Sequence, residues 1–199
     1  MTTKKILDAQ IFAFQIHANQ FYGDPALKIP YTVHLSLAES KAQKYLYLLP
    51  EEDRETAIIS IWLHDSREDQ GQSYNDIKKL FEAKVAEVVY CLSNNDGRNR
   101  KEIAINTYGP KTSTNRIAVY DKLADRLANV EFGVHNASRM LKAQKEEFPY
   151  MVEVLYFPGE FDPMWADLAD MLGVPDPVKN PELYTLRGIS YATAHEVQS

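Results

Sequence analysis

The stretch Ala57-Ile58-Ile59-Ser60-Ile61-Trp62-Leu63 leaves no polar face on a helix, and it runs straight into His64-Asp65-Ser66-Arg67-Glu68-Asp69. A helix that is apolar all round is stable only when other elements surround it. This one must therefore lie at the centre of a helical core. It is too short to span a bilayer, which takes roughly 20 apolar residues. Pro50 followed by Glu51-Glu52-Asp53 marks its start, because proline suits the first turn and carboxylates suit the positive end of the helix dipole. Gly71 supplies its stop.

Helical spacing extends over most of the chain, and no alternating strand pair joined by an Asn-Gly or Asp-Gly turn interrupts it. The expected class is all-α. A first helix is expected over about 4–20 and a second over about 31–48, with a loop at Gly23-Asp24-Pro25 closed by Pro30. Ser73 caps a fourth helix through about residue 81, a fifth covers 83–92, and Ser93-Asn94-Asn95-Asp96-Gly97 reads as a loop. A sixth spans about 98–108. Caps among residues 112–115 then open a long seventh carrying Ile117, Tyr120, Leu123, Leu127 and Val130. Later helices are expected over about 138–148 and 164–172. Pro175, Pro177 and Pro181 break the periodicity, so 1–174 is assigned to one helical domain and 175–199 to an extended C-terminal arm.

With 199 residues and 45% hydrophobic composition, the chain is long enough for one core and short for two. A net charge of -6 without a Lys/Arg block lacks the footprint of a phosphate-backbone binder, so nucleic acid is not an expected partner. A small anionic substrate stays open, because a bound cation reverses the local field. Asp8, Gln10 and Gln15 interrupt any leader after Lys4-Lys5, and the single Cys91 allows no internal disulfide. A cytoplasmic protein without a membrane partner is expected; an oligomer remains open.

Four ionisable groups at the end of an apolar central helix need a positive partner. A divalent metal fits, and mixed imidazole–carboxylate ligation suits Mn, Fe or Zn better than Ca or Mg. The second segment able to contribute is Asp125 with Asn129, four residues apart on one helix side. The third is His34 in Pro30-Tyr31-Thr32-Val33-His34. His34, His64, Asp65 and Asp125 make a four-ligand set with room for water or substrate. Taken singly, Asp125 also suits an ion pair with Lys122 or Arg126, His34 a core histidine, and Glu68-Asp69 a solvated helix end. That last arrangement is disfavoured, since acids at a helix C-terminus oppose the dipole.

In order, Ala13-x-x-x-His17-x-x-Gln20, Pro30-Tyr31-x-x-His34, His64-Asp65-x-x-Glu68-Asp69 and Lys122-Leu123-Ala124-Asp125-Arg126-Leu127-x-Asn129 resemble the HD-domain hydrolases. The nearest branch is the alarmone hydrolases: the hydrolase domain of RelA/SpoT proteins and the small stand-alone enzymes related to metazoan SpoT homologues. The resemblance covers about residues 6–157. It implies a helical HD-domain fold with the metal site between central helices. One Mn(II) per chain would be held by His34, His64, Asp65 and Asp125. Glu68 and Asp69 match the catalytic acidic pair, and Asn129 a contact to the nucleotide. The implied reaction removes the 3′-pyrophosphate of ppGpp and pppGpp.

Where the family places basic residues after His-x-x-Gln, this chain has Phe21-Tyr22-Gly23, and Lys28 follows later in the same loop. Lys28 by charge, Tyr22 by stacking, and Lys122 join Asn129 as expected substrate contacts. Gln144 stands near a position where the family tends to carry tyrosine. His17 and Gln20 are expected to orient neighbours, while His135 and His195 match nothing and are assigned to the surface. Two other functions compete: an HD phosphohydrolase for another nucleotide or an RNA-end phosphate, and a non-enzymatic, antitoxin-like helical binding protein. The complete acidic ligand set argues against the second, since binding by contact alone does not require it.

Overall fold

The structure is a computed structural model that describes residues 3–94, 97–136, 138 and 140–184. It is built from helices α1 (Lys4–Ile16), α2 (Thr32–Tyr45), α3 (Glu51–Leu63), α4 (Ser66–Gln70), α5 (Tyr74–Leu92), α6 (Arg100–Tyr108), α7 (Arg116–His135), α8 (Met140–Leu155) and α9 (Asp162–Leu172). Two short strands, β1 (Phe21–Tyr22) and β2 (Ile29–Pro30), lie between α1 and α2. The all-α class holds. Among the described residues no helix is long and apolar enough to cross a membrane.

Two helices occupy the middle. Residues 57–63 of α3 are all buried, as their lack of a polar face requires. α7 is buried without interruption from Ile117 to Ala128 and packs against α2, α3, α5, α8 and α9. Its start is fixed by Asn115, whose side-chain oxygen accepts from the amides of Ile117 and Ala118 at 3.0 and 3.1 Å. Ser73 and Asp76 form a reciprocal capping box on α5.

Several expectations need correction. The loop after α1 closes as an antiparallel hairpin, Phe21 opposite Pro30 and Tyr22 opposite Ile29; two residues per strand are too few to show alternation in sequence. The third helix stops at Leu63 instead of running to Gly71. Asp65 takes φ -95° and ψ 0°, and a separate turn, α4, follows. The expected fourth and fifth helices need no such change: within α5 two helical segments meet at Glu82, whose φ of 78° and ψ of 165° are not helical. α8 continues through Pro149, because the buried Met151, Val152, Val154 and Leu155 beyond it favour continuation by more than the proline opposes it. The arm is docked over its first ten residues: Val178 and Tyr184 pack on the core, the latter 6.0 Å from the ring of Phe148. Residues 185–199, with His195, lie outside the described residues.

One carboxyl sits deep between α3 and α7. Asp121 is fully buried, accepts a hydrogen bond from the Ser60 hydroxyl, and its Oδ1 has no partner among the described residues. Burial pushes its pKa well above the usual carboxylate range, against the opposing pull of Ser60 and His64. The folded chain thus keeps a proton that the unfolded chain releases, and stability falls as pH rises through that interval by up to about 1.4 kcal/mol per unit. Asp121→Asn is expected to match the native protein near pH 4 and to exceed it increasingly toward neutrality in urea unfolding. A constant difference across that range would contradict this.

Candidate metal centre and its cavity

Three elements deliver the expected ligands to one point. The hairpin ends where α2 begins, setting His34 in the first turn of α2; the break after α3 presents His64 and Asp65; α7 supplies Asp125. His34 Nε2 lies 3.3 Å from His64 Nε2 and 3.3 Å from Asp125 Oδ1. Asp65 Oδ2 is 2.8 Å from His64 Nε2 and 3.7 Å from His34 Nε2, and Asp125 Oδ1 is 3.6 Å from His64 Nε2. Ligand atoms about 2.1 Å from a shared divalent ion sit roughly 3.0–3.4 Å from their neighbours. The observed spacing brackets that range. Adjacent residues on a regular helix point about 100° apart, so the break at Asp65 is what lets consecutive residues face the same point.

The donor chemistry fits as well. His64 Nδ1 donates to the Ile61 carbonyl at 2.7 Å, which orients the ring with Nε2 inward; against burial, Asp65 and Asp125 raise its pKa well above the usual imidazole value, so a divalent ion would take the place of a proton on Nε2. Burial would raise both carboxyl pKa values. Asp125 is nevertheless held well below the usual range by Lys122 and the two imidazoles, and Asp65 by His64 and His34. Tyr31 donates its hydroxyl proton to Asp65, and burial together with that carboxylate pushes the phenol far above its ordinary pKa. The buried Asp125 and half-buried Asp65 carboxylates, facing two imidazole nitrogens, suit a divalent transition metal in charge and donor type.

Asn129 braces the site. Its Nδ2 donates to Asp125 Oδ1 at 2.6 Å, and its Oδ1 accepts from the Tyr22 hydroxyl at 2.8 Å. The Tyr22 ring stacks on His34 at 4.8 Å and leans on Phe132 at 4.4 Å. Gly23 follows at φ 74°, where a Cβ would come within 2.9 Å of the Phe132 ring, so only glycine lets the hairpin lie this close to α7. Lys122 Nζ stands 3.6 Å from Asp125 Oδ2. Burial lowers its pKa, yet Asp125 and Tyr108 outweigh that and keep it an ammonium.

Glu68 and Asp69 take different partners. Glu68 accepts from Asn94 twice, from the backbone amide at 2.7 Å and from Nδ2 at 2.6 Å. Asp69 accepts from Gln20 Nε2 at 2.6 Å, and Gln20 Oε1 meets His17 Nδ1 at 2.6 Å and Gln70 Nε2 at 2.7 Å. The His17 ring stacks on Tyr31 at 5.0 Å. His17 and Gln20 therefore connect Asp69 to the tyrosine that bonds Asp65.

A cavity of about 480 Å³ opens on the tetrad. Tyr22, Lys122 and Asn129 line it beside the expected ligands His34, Asp65 and Asp125. Lys28 is not among its lining residues; it sits exposed in the connection between the two strands, immediately before β2, at φ 48°. Asn94, Tyr108, Gln144, Glu147 and Arg126 also line the cavity. Arg126 pairs with Glu147 at 3.0 Å and donates to the Tyr108 hydroxyl at 2.8 Å instead of pairing with Asp125. Sequence spacing gave no sign of Asn94, Tyr108 or Glu147, which come from α6, α8 and the segment after α5.

No family model matches this sequence, and no curated protein matches it. Among solved structures, one described as a metazoan ortholog of SpoT that hydrolyzes ppGpp and plays a role in starvation responses aligns with a TM-score of 0.67. The alignment covers 87% of this chain and 96% of that chain at 19% identity. The chain has the helical fold of this metazoan SpoT-like ppGpp hydrolase.

Proposed function

We propose that the protein is a phosphohydrolase of the HD kind that depends on one Mn(II) per chain and removes the 3′-pyrophosphate of ppGpp and pppGpp. The observation that carries this reading is the convergence of His34, His64, Asp65 and Asp125 at the mouth of a nucleotide-sized cavity, with the His64 ring already oriented for ligation. Those four would hold the ion. Once bound, it supplies Lewis-acid activation of water and of the attacked phosphoryl group.

The remaining work falls to the chain's own side chains. Glu68, aimed by its two bonds from Asn94, accepts the proton of the attacking water. Asp69, steered by Gln20, holds that water or returns a proton to the leaving group. Lys122 offsets the carboxylates, which would otherwise repel an anionic substrate, and Asn129 keeps Asp125 in place.

Hydrolysis of another nucleotide is favoured by one observation: the hairpin sets Phe21-Tyr22-Gly23 where related enzymes carry cations, and Lys28 does not line the cavity. A substrate panel separates the two. Purified protein with Mn(II) is offered ppGpp, pppGpp, nucleoside monophosphates, NADPH and 5′-triphosphorylated RNA, with pyrophosphate and phosphate detected separately. Pyrophosphate from ppGpp is the expected result; phosphate from a different substrate alone would move the assignment. Within that assay Lys122→Met is expected to raise KM by about 10-fold or more, the loss of a charged contact, whereas Lys28→Ala leaves kcat and KM unchanged. A KM increase in Lys28→Ala would return that lysine to the substrate contacts.

A further inference from the structure

The wall that α7 and α8 give the cavity carries polar atoms that find no partner among the described residues. Gln144, on α8, is 7% exposed and Arg126, on α7, is 6% exposed. Both line the cavity, yet among the described residues Gln144 Oε1 and Arg126 Nε have no hydrogen-bond partner. Unpaired buried polar atoms are rare in folded proteins, and each costs about 1–3 kcal/mol. One is an acceptor and the other can only donate.

The charge on this wall is balanced. Arg126 Nη2 lies 3.0 Å from Glu147 Oε1, Arg126 Nη1 lies 3.2 Å from Glu147 Oε2, and the Tyr108 hydroxyl donates to the same carboxylate. A phosphate brought here would meet Glu147 and find the arginine's terminal nitrogens already engaged. Ile103, Ala104 and Met140 supply apolar surface around the polar pair. The matching ligand group is neutral, flat and partly apolar, with a donor and an acceptor on one edge.

Building on the nucleotide reading above, we infer that Gln144 and Arg126 form a nucleobase-binding subsite on the α7–α8 wall of the cavity. Guanine meets its demands with N1–H donating to Gln144 Oε1 and O6 accepting from Arg126 Nε. Adenine meets them with its 6-amino group and N1. The subsite takes over base recognition from the hairpin, whose Tyr22 hydroxyl is committed to Asn129. Gln144 is thereby a specificity-determining residue, and the phosphates of the same ligand lie toward Lys122 and the tetrad.

Calorimetric titration tests this without relying on turnover. The protein, with and without Mn(II), is titrated with GMP, AMP and ribose 5-phosphate. At least one of the two nucleotides is expected to bind more tightly than ribose 5-phosphate. Gln144→Leu is expected to weaken that nucleotide by about 10- to 100-fold, while ribose 5-phosphate binding and the thermal midpoint stay unchanged. Which nucleotide shows the preference identifies the base. Equal affinity for all three ligands, or a nucleotide preference that survives in Gln144→Leu, would overturn the subsite. The hydrolase reading fails separately: base-dependent binding without hydrolysis in Mn(II) removes the activity and leaves the subsite standing, and hydrolysis without base preference does the reverse.

Discussion

Glu68→Gln is expected to lower kcat by about 10²- to 10⁴-fold while metal content stays at that of the native protein. The side chain lies outside the His34, His64 and Asp125 cluster and is held by Asn94, so removing its charge leaves that cluster intact. Glutamine preserves the shape and can still accept the Asn94 backbone amide through its carbonyl, but it has no site for the water's proton. Its amide group then faces Asn94 Nδ2, donor against donor, so the loss is not rescued by geometry. Substrate binding, carried by other residues, should change little, and kcat and kcat/KM should fall together. Elemental analysis alongside steady-state kinetics checks both halves. Metal loss in Glu68→Gln would make it a ligand, and full activity would remove it from the reaction.

Asp125→Ala is expected to abolish metal retention and activity together. Asp125 is a candidate ligand, it accepts the Asn129 amide at 2.6 Å, and it lies 3.6 Å from the buried Lys122 ammonium. Removing it leaves that cation uncompensated, a change that costs about 3–5 kcal/mol when a buried pair is broken. Asp125→Asn separates the two effects, because it keeps a side-chain oxygen for Asn129 and removes only the charge. In the native protein, Mn(II) at 100 times its Kd should add about 2.7 kcal/mol of stability. Neither variant should show that gain. A metal-induced shift of native size in Asp125→Asn would exclude Asp125 from the coordinating set.

The sequence carried the centre of the fold because the reasons are local. Residues 57–63 have no polar face and are all buried, and Asn115 and Ser73 cap the helices they were expected to cap. The meeting of these side chains was legible for a related reason: buried charges are costly, so His34, His64, Asp65 and Asp125 beside apolar helix faces implied a common location, and His34, His64 and Asp125 cluster there with Asp65 beside them. What escaped depended on tertiary choices. Helical spacing placed Glu68 one turn beyond His64, but the backbone breaks at Asp65, and Glu68 turns to Asn94 instead. Lys28 was expected at the substrate because it follows the first motif in sequence, whereas the hairpin leaves it exposed and apart from the cavity lining. Proline at position 149 reads as a stop until the buried residues beyond it are counted. The Tyr108–Arg126–Glu147 cluster joins three helices, and no spacing within one segment encodes such a contact.

The most direct measurement begins with protein stripped of metal by a chelator, then reconstituted stepwise with Mn(II) while bound metal and pyrophosphate release from ppGpp are followed in parallel. Hydrolysis should be absent at the start, rise in proportion to occupancy, and level off at one Mn(II) per chain. Hydrolysis that persists in the metal-free protein, or a fully loaded protein that leaves every nucleotide of the panel intact, would contradict a metal-dependent phosphohydrolase.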